Sequence, residues 1–248
     1  MKILKEIVAR ILALWALLWF VITFFIIYIP SMLTWLIPDP KGQDYFIKIA
    51  RGWMTVWLYL VGCRFTVKGK QEFKKGETYI ITCNHNSMVD VPLSSPFIQG
   101  PNKTIAKASF KKVPIFNFYY LKGGVMVDRK DESSRRRSYE NMKKVLENGM
   151  HMCIYPEGTR NRTEDPLKKF HDGAFRLSVD TGHKILPAVI LNTKLVSPAN
   201  KTFYFWPTKI GIHFLPAIDP KGKTTEQLKE EVFEITKAYY LANNSSNH

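Results

Sequence analysis

Residues 11–29 read ILALWALLWFVITFFIIYI, an uncharged run that constrains the fold more than any other stretch of the chain. A helix rises 1.5 Å per residue, so about 20 apolar residues cross the roughly 30 Å of hydrocarbon in a bilayer. Trp15, Trp19, Tyr28 and Trp35 add aromatic side chains of the kind that settle at membrane–water interfaces. A cleaved secretory signal fits less well, because the run is too long for such a core and ends in bulky residues and Pro30. The expectation is a retained membrane segment, with a buried core helix as the alternative. Pro30, Pro38, Pro40 and Gly42 are expected to break the chain before a second helix over about 44–61. There Tyr45, Ile49, Val56 and Leu60 recur near helical spacing, Phe46, Trp53 and Trp57 form a second apolar ridge, and Asp44, Lys48 and Arg51 take other faces. This pattern suits an amphipathic helix in the headgroup region, or a helix packed on a globular domain.

A chain of 248 residues accommodates one globular domain with an appendage. The expected division is 1–62 for membrane-anchoring helices, 63–242 for an α/β domain and 243–248 for a polar tail. Thirty-six Lys and Arg against 21 Asp and Glu leave a net charge of +15, which points to polyanionic partners: nucleic acid, anionic lipid headgroups or phosphorylated substrates. Arg135-Arg136-Arg137, Lys143 and Lys144 make a basic helix, but no nucleic-acid motif accompanies them and a long apolar anchor is foreign to such a module. Three cysteines, Cys63, Cys83 and Cys153, without a CxxC pair, argue against a disulfide framework and a zinc site.

From about residue 63 the texture alternates between short β-rich runs and helical signals, the pattern of a mixed, largely parallel sheet flanked by helices. Strands are expected at 78–83, 104–108, 124–127, 152–155, 184–191, 202–206 and 209–214. Pro114 can open one helix that stops at Gly123-Gly124, Ser133 or Ser134 can cap a second stopped by Gly149, and Thr224 or Thr225 can cap a last one.

In such sheets the site lies beyond the carboxyl ends of the strands, and three polar clusters fall there. They are Asn84-His85-Asn86-Ser87-Met88-Val89-Asp90, then Asp128-Arg129, then Pro156-Glu157-Gly158-Thr159-Arg160. If the strand before His85 turns into a helix, Asp90 can meet the imidazole Nδ1 and leave Nε2 as a base for a hydroxyl. Alone, His-x4-Asp is a weak signal, since a single histidine is more often structural. Ser87 and Cys83 are rival nucleophiles, although no GxSxG elbow frames Ser87 and Cys83 falls in a strand. Arg160 offers a planar fork for phosphate or carboxylate, Gly158 lets a ligand near the backbone, and Glu157 can accept from hydroxyls. An acid–arginine ion pair closing a turn explains either Glu157/Arg160 or Asp128/Arg129 equally well.

Residues 84–90, 124–129, 155–160 and 186–190 resemble, in order and spacing, the four motifs of the glycerolipid acyltransferase family, and within it the bacterial lysophosphatidic acid acyltransferases. The resemblance implies an O-acyltransferase of phospholipid biosynthesis that needs no metal and no cofactor. His85, oriented by Asp90, would deprotonate the acceptor hydroxyl, which attacks the thioester of acyl-CoA or acyl-acyl carrier protein with no acyl-enzyme. Asn84, Ser87, Gly124, Arg129, Glu157, Gly158, Thr159, Arg160 and Pro187 would bind the substrates. Lys103 and Lys107, just before the second motif, either read as ordinary solvated lysines or add positive potential. Two departures stand out: Met126-Val127 where the family often has Phe-Ile, and Phe170-His171-Asp172-Gly173 where it often has Phe-Lys-x-Gly. The second leaves the acceptor headgroup open, so another lyso-lipid, such as a lyso-amino-acid lipid, or a thioester hydrolase remains an alternative.

Acyl thioesters are cytosolic, so the domain is expected at the cytoplasmic face of the cell membrane. A simple crossing by 11–29 would put Lys2, Lys5 and Arg10 on the disfavoured side, and a second crossing would bury Lys48 and Arg51 at about 2.5–3.5 kcal/mol each. A monotopic hairpin bent at 30–40 avoids both, with all five cations at anionic headgroups.

Overall fold

A computed structural model describes residues 2–128 and 130–244. Its strands are β1 (Phe65–Lys68), β2 (Ile80–Cys83), β3 (Asn102–Lys107), β4 (Gly124–Val127), β5 (His151–Ile154), β6 (Ile185–Leu191) and β7 (Ile210–Phe214). They form one seven-stranded sheet in the order β1-β7-β6-β2-β5-β3-β4. Strands β6, β2, β5, β3 and β4 are mutually parallel, while β7 runs antiparallel to β6 and parallel to β1. Every residue of β2, β5 and β6 is buried, as befits central strands covered on both faces. The mixed, largely parallel sheet expected from the sequence is the fold.

The helices are α1 (Lys2–Leu33), α2 (Lys41–Leu60), α3 (Asp90–Ser94), α4 (Phe116–Gly123), α5 (Glu132–Glu147), α6 (Gly173–Thr181), α7 (Thr193–Val196) and α8 (Thr225–Asn243). On one face α2 sets Trp53, Met54, Trp57 and Leu58 into a core with Ile81, Cys83, Leu186 and Ile190. On the other, α5, α6 and α8 bring Val145, Phe175 and Val232 onto Ile80, Met152 and Ile154. Helix α8 begins with a capping box, Gln227 N donating to Thr224 Oγ1 and Thr224 N to Gln227 Oε1. Helix α5 is capped two or three residues earlier than the serines suggested, because the Asp131 carboxylate accepts from Ser133 N at 2.9 Å.

Three expectations fail for identifiable reasons. Residues 202–206 form no strand: Phe203 takes φ 49°, Phe205 N donates to the Ala9 carbonyl at 3.2 Å, and the aromatic run serves packing on α1. Strand β1 went unseen because FTVK, although it alternates apolar and polar residues, is a four-residue edge strand too short to stand out. Pro30 lies inside α1 and does not end it. It forfeits one hydrogen bond, but Ser31 and Thr34 beyond it are buried, with Thr34 Oγ1 donating to Ser31 O at 2.6 Å.

Helix α1 lies antiparallel on α2. The Trp15, Trp57 and Trp53 indoles donate to Leu60 O, Ala16 O and Thr23 Oγ1 at 3.0, 3.0 and 2.8 Å. Glu6 pairs with Lys201, and Lys5 sits over the Trp206 ring, so both halves of α1 are tied to the domain. Its outer face stays bare, with Ile11, Leu14, Leu18, Ile22, Phe25, Ile26 and Ile29 exposed. Arg51 does not face headgroups: its Nε and Nη2 donate to Pro96 O and Ile98 O, both at 2.7 Å, in the turn that precedes β3. Lys48 remains exposed beside Asp44, and Arg10 pairs with Glu6. For α2, packing on the domain is therefore the reading that holds.

Candidate active site

Strand β2 leaves the sheet at Asn84, whose buried amide donates to Ile190 O at 2.9 Å and accepts from Ile190 N at 2.7 Å. This double bond to β6 fixes the point of departure. The next residue, His85, is held by its backbone on both sides: its N–H donates to Glu157 Oε1 and its carbonyl accepts from Asn161 N, each at 2.6 Å. Its ring lies 4.5 Å from that of Tyr155, and its side chain is 18% exposed, enough for contact with a substrate.

The chain then turns into α3, and Asp90 at the first position points back. Asp90 is fully buried, and its Oδ2 accepts from Asn86 N at 2.6 Å and Ser87 N at 2.7 Å and faces His85 Nδ1 at 2.8 Å. Its Oδ1 accepts from Thr193 Oγ1 at 2.5 Å. A carboxylate is acceptor-only, so Nδ1 carries the ring proton and Nε2 presents a lone pair. The four bonds leave Asp90 no rotational freedom, and that rigidity passes to the imidazole.

The rival nucleophiles are elsewhere engaged. Ser87 Oγ donates to Ser197 O at 2.9 Å and accepts from Val89 N at 3.2 Å, both inside the protein. Cys83 Sγ lies 3.8 Å from Cys153 Sγ with neither thiol exposed, and this contact together with burial pushes the Cys83 thiol well above the usual range.

Glu157 sits in the turn after β5, only 1% exposed. Oε1 takes the His85 amide and Oε2 takes Lys168 N at 3.0 Å, so neither oxygen is spent on Arg160. Burial raises the carboxyl to about 7, against the pull of those two amides toward the ionised form. Gly158 turns the chain at φ +75°, its N–H donating to Tyr155 O at 3.0 Å, in a conformation that a Cβ disfavours. Thr159 is exposed and accepts from Lys168 Nζ at 2.6 Å. Arg160 is half-buried and forms no ion pair with a described carboxylate. Arg129 lies outside the described residues.

Gly124 and Pro187 stand apart from this cluster. Gly124 opens β4 at the end away from His85, where an added Cβ would come within 2.8 Å of Thr104 O. Pro187 is buried in mid-sheet, opposite Thr82, with its carbonyl accepting from Leu215 N at 2.8 Å. Thr193 and Asn161, by contrast, touch the His85–Asp90 pair or its loop and drew no attention in the sequence, and Tyr155 entered only as the first residue of the 155–160 motif. Thr193 is 103 residues from Asp90, and only the β6–β2 pairing brings it near.

A family profile described as Acyltransferase matches residues 64–191, more than half of the chain. The chain belongs to the acyltransferase family. The matched span carries β1 through β6 and every residue of the His85–Asp90–Glu157 cluster. This acyltransferase is 30% identical over 188 residues to a 1-acyl-sn-glycerol-3-phosphate acyltransferase of Borreliella burgdorferi, covering 75% of this chain and 74% of that one. It is 26% identical over 212 residues to a protein of the same name from Chlamydomonas reinhardtii, covering 82% of this chain but 63% of the longer relative. The crystal structure of the 1-acyl-sn-glycerophosphate acyltransferase of Thermotoga maritima superposes with a TM-score of 0.77, at 24% identity and over 96% of each chain. That likeness establishes that the two share a fold, the helix pair α1–α2 included within the coverage.

Proposed function

We propose that this acyltransferase moves a fatty acyl group from a thioester, acyl-CoA or acyl-acyl carrier protein, to the free hydroxyl of lysophosphatidic acid, yielding phosphatidic acid. The observation that carries the reading is the 2.8 Å contact between His85 Nδ1 and an Asp90 carboxylate fixed by three further donors. The names of the Borreliella and Chlamydomonas relatives support the choice of acceptor.

In this reading His85 Nε2 takes the proton as the acceptor hydroxyl oxygen attacks the thioester carbonyl. Asp90 stabilises the imidazolium that forms. The tetrahedral intermediate collapses with cleavage of the C–S bond, and the imidazolium returns its proton to the departing thiolate. Acceptor ester and free thiol leave, and no covalent enzyme intermediate forms. Arg160, in the turn after β5 and unengaged by described carboxylates, is a guanidinium available to an acceptor phosphate, with Arg129 as its expected companion. Glu157, only 1% exposed, positions the His85 backbone through Oε1 and the Lys168 amide through Oε2.

The membrane reading is a monotopic hairpin on the cytoplasmic side. It rests on α1 being tied along its length to α2 and to residues 201–206 while its outer face is uniformly apolar. A helix projecting across a bilayer would have to break these contacts.

The test is a thioester-cleavage assay with and without a panel of lyso-lipids, products read by mass spectrometry. Cleavage dependent on lysophosphatidic acid, with phosphatidic acid as product, is expected. Cleavage independent of any acceptor would make the protein a thioester hydrolase, and a preferred phosphate-free acceptor would overturn the headgroup assignment.

A further inference from the structure

We propose that residues 108–121, between β3 and β4, form a second membrane-inserting element beside the active site, separate from the α1–α2 hairpin. The proposal rests on the membrane reading above and adds a contact that reading does not include.

Residues 109–115, SFKKVPI, are all exposed. Phe110, Val113, Ile115 and, on α4, Phe118 and Leu121 turn large apolar side chains to solvent, Phe118 being 53% exposed. A cluster of this kind within a dozen residues marks an interaction surface on an otherwise polar domain. Ile115 is the sharpest sign. It takes φ 66° and ψ −53° in a three-residue turn, with Phe116 N donating to Pro114 O at 2.6 Å. A β-branched residue is rarely held there, and a turn required only to be stable would use Gly or Asn. Strain of this sort concentrates where a side chain must be presented to a ligand.

Two observations identify the occupant as a lipid surface. The segment packs on α1 beside its bare face: buried Phe24 meets Phe116 and Tyr119 at ring-centroid distances of 5.2 and 5.6 Å, and its neighbours Phe25 and Ile26 are exposed. The apolar side chains also alternate with Lys107, Lys111 and Lys112, which are exposed and make no ion pair with a described residue. Apolar side chains interleaved with cations suit an anionic interface, where the rings enter the acyl boundary and the ammonium groups stay at the phosphates. The segment leaves β3 at the carboxyl end of the parallel strands, the end at which the chain leaves β2 for His85, so it stands on the same side of the sheet's strand ends as the site.

The test uses the full chain with single Phe118→Cys, Ile26→Cys or Lys221→Cys substitutions bearing a nitrobenzoxadiazole label; the three native cysteines are buried. Vesicles of phosphatidylethanolamine and phosphatidylglycerol are prepared with and without doxyl-labelled lipid. Labels at 26 and 118 should be quenched by the doxyl lipid and protected from aqueous iodide, and the label at 221 should not. Quenching at 26 without quenching at 118 overturns this proposal and leaves the hairpin standing; quenching at neither overturns the hairpin as well. In parallel, Val113→Ser combined with Phe118→Ser should raise KM for vesicle-borne lyso-lipid about tenfold, the loss expected from removing apolar contact. Turnover on a short-chain, water-soluble acceptor should be unchanged, and an equal loss on both acceptors would contradict a role at the lipid surface.

Discussion

The His85 amide donates to the Glu157 carboxylate at 2.6 Å, joining the turn after β2 to the turn after β5. Two short loops from adjacent parallel strands thus share one buried acid, and the position of the imidazole depends on both. Asp90 orients the ring and Glu157 holds the backbone that carries it.

Glu157 has a pH signature. Its folded carboxyl titrates near 7, above an ordinary value near 4.5, so the folded state binds its proton more tightly than the unfolded chain. Its contribution to stability is fully present below about 4.5 and is lost as pH rises through about 7, on the order of 3 kcal/mol in all. Thermal unfolding in detergent between pH 5 and 8 should therefore show a downward slope in the wild type that Glu157→Gln reduces. Parallel curves for the two proteins would remove Glu157 as its source.

The hydroxyl of Thr193 should matter through Asp90 alone. Asp90→Asn should cut turnover on the order of a hundredfold or more, because it permits the wrong tautomer. Thr193→Val removes one bond to a charged acceptor, about 1.5–3 kcal/mol, and should lower kcat by roughly ten- to a hundredfold with little change in KM. A Thr193→Val enzyme with wild-type kcat would show that the remaining three bonds suffice.

Arg160 is tested by acceptor comparison. Arg160→Ala should weaken use of a phosphorylated acceptor by roughly 10- to 100-fold and the thioester donor far less. An equal loss on a phosphate-free lyso-lipid would assign Arg160 to the scaffold.

The hairpin can be tested from outside the cell. A single cysteine at position 2, in a variant lacking Cys63, Cys83 and Cys153, should resist an impermeant thiol reagent applied to intact cells and react after lysis. Labelling from the outer face would establish a crossing.

Much of this arrangement was legible in the sequence because it is local. The His85–Asp90 pair needs only a strand that turns into a helix within five residues, and the buried strands announce themselves as short apolar runs. What stayed hidden depends on tertiary contacts. Thr193 reaches Asp90 only through strand pairing, and Arg51 turns inward to two carbonyls of the turn before β3, 45 and 47 residues away. Glu157 drew notice for its neighbours Gly158 and Arg160, whereas its contact is to a backbone amide 72 residues away. Pro30 misled because local chemistry says stop and packing of Ser31 and Thr34 says continue.

The most direct measurement is single-turnover kinetics of His85→Ala with an acyl thioester and lysophosphatidic acid, alongside the wild type. The mechanism predicts that the variant still expresses, still associates with membranes and binds both substrates, yet forms almost no phosphatidic acid. Product formation at a near-normal rate would contradict the assignment of His85 as the base.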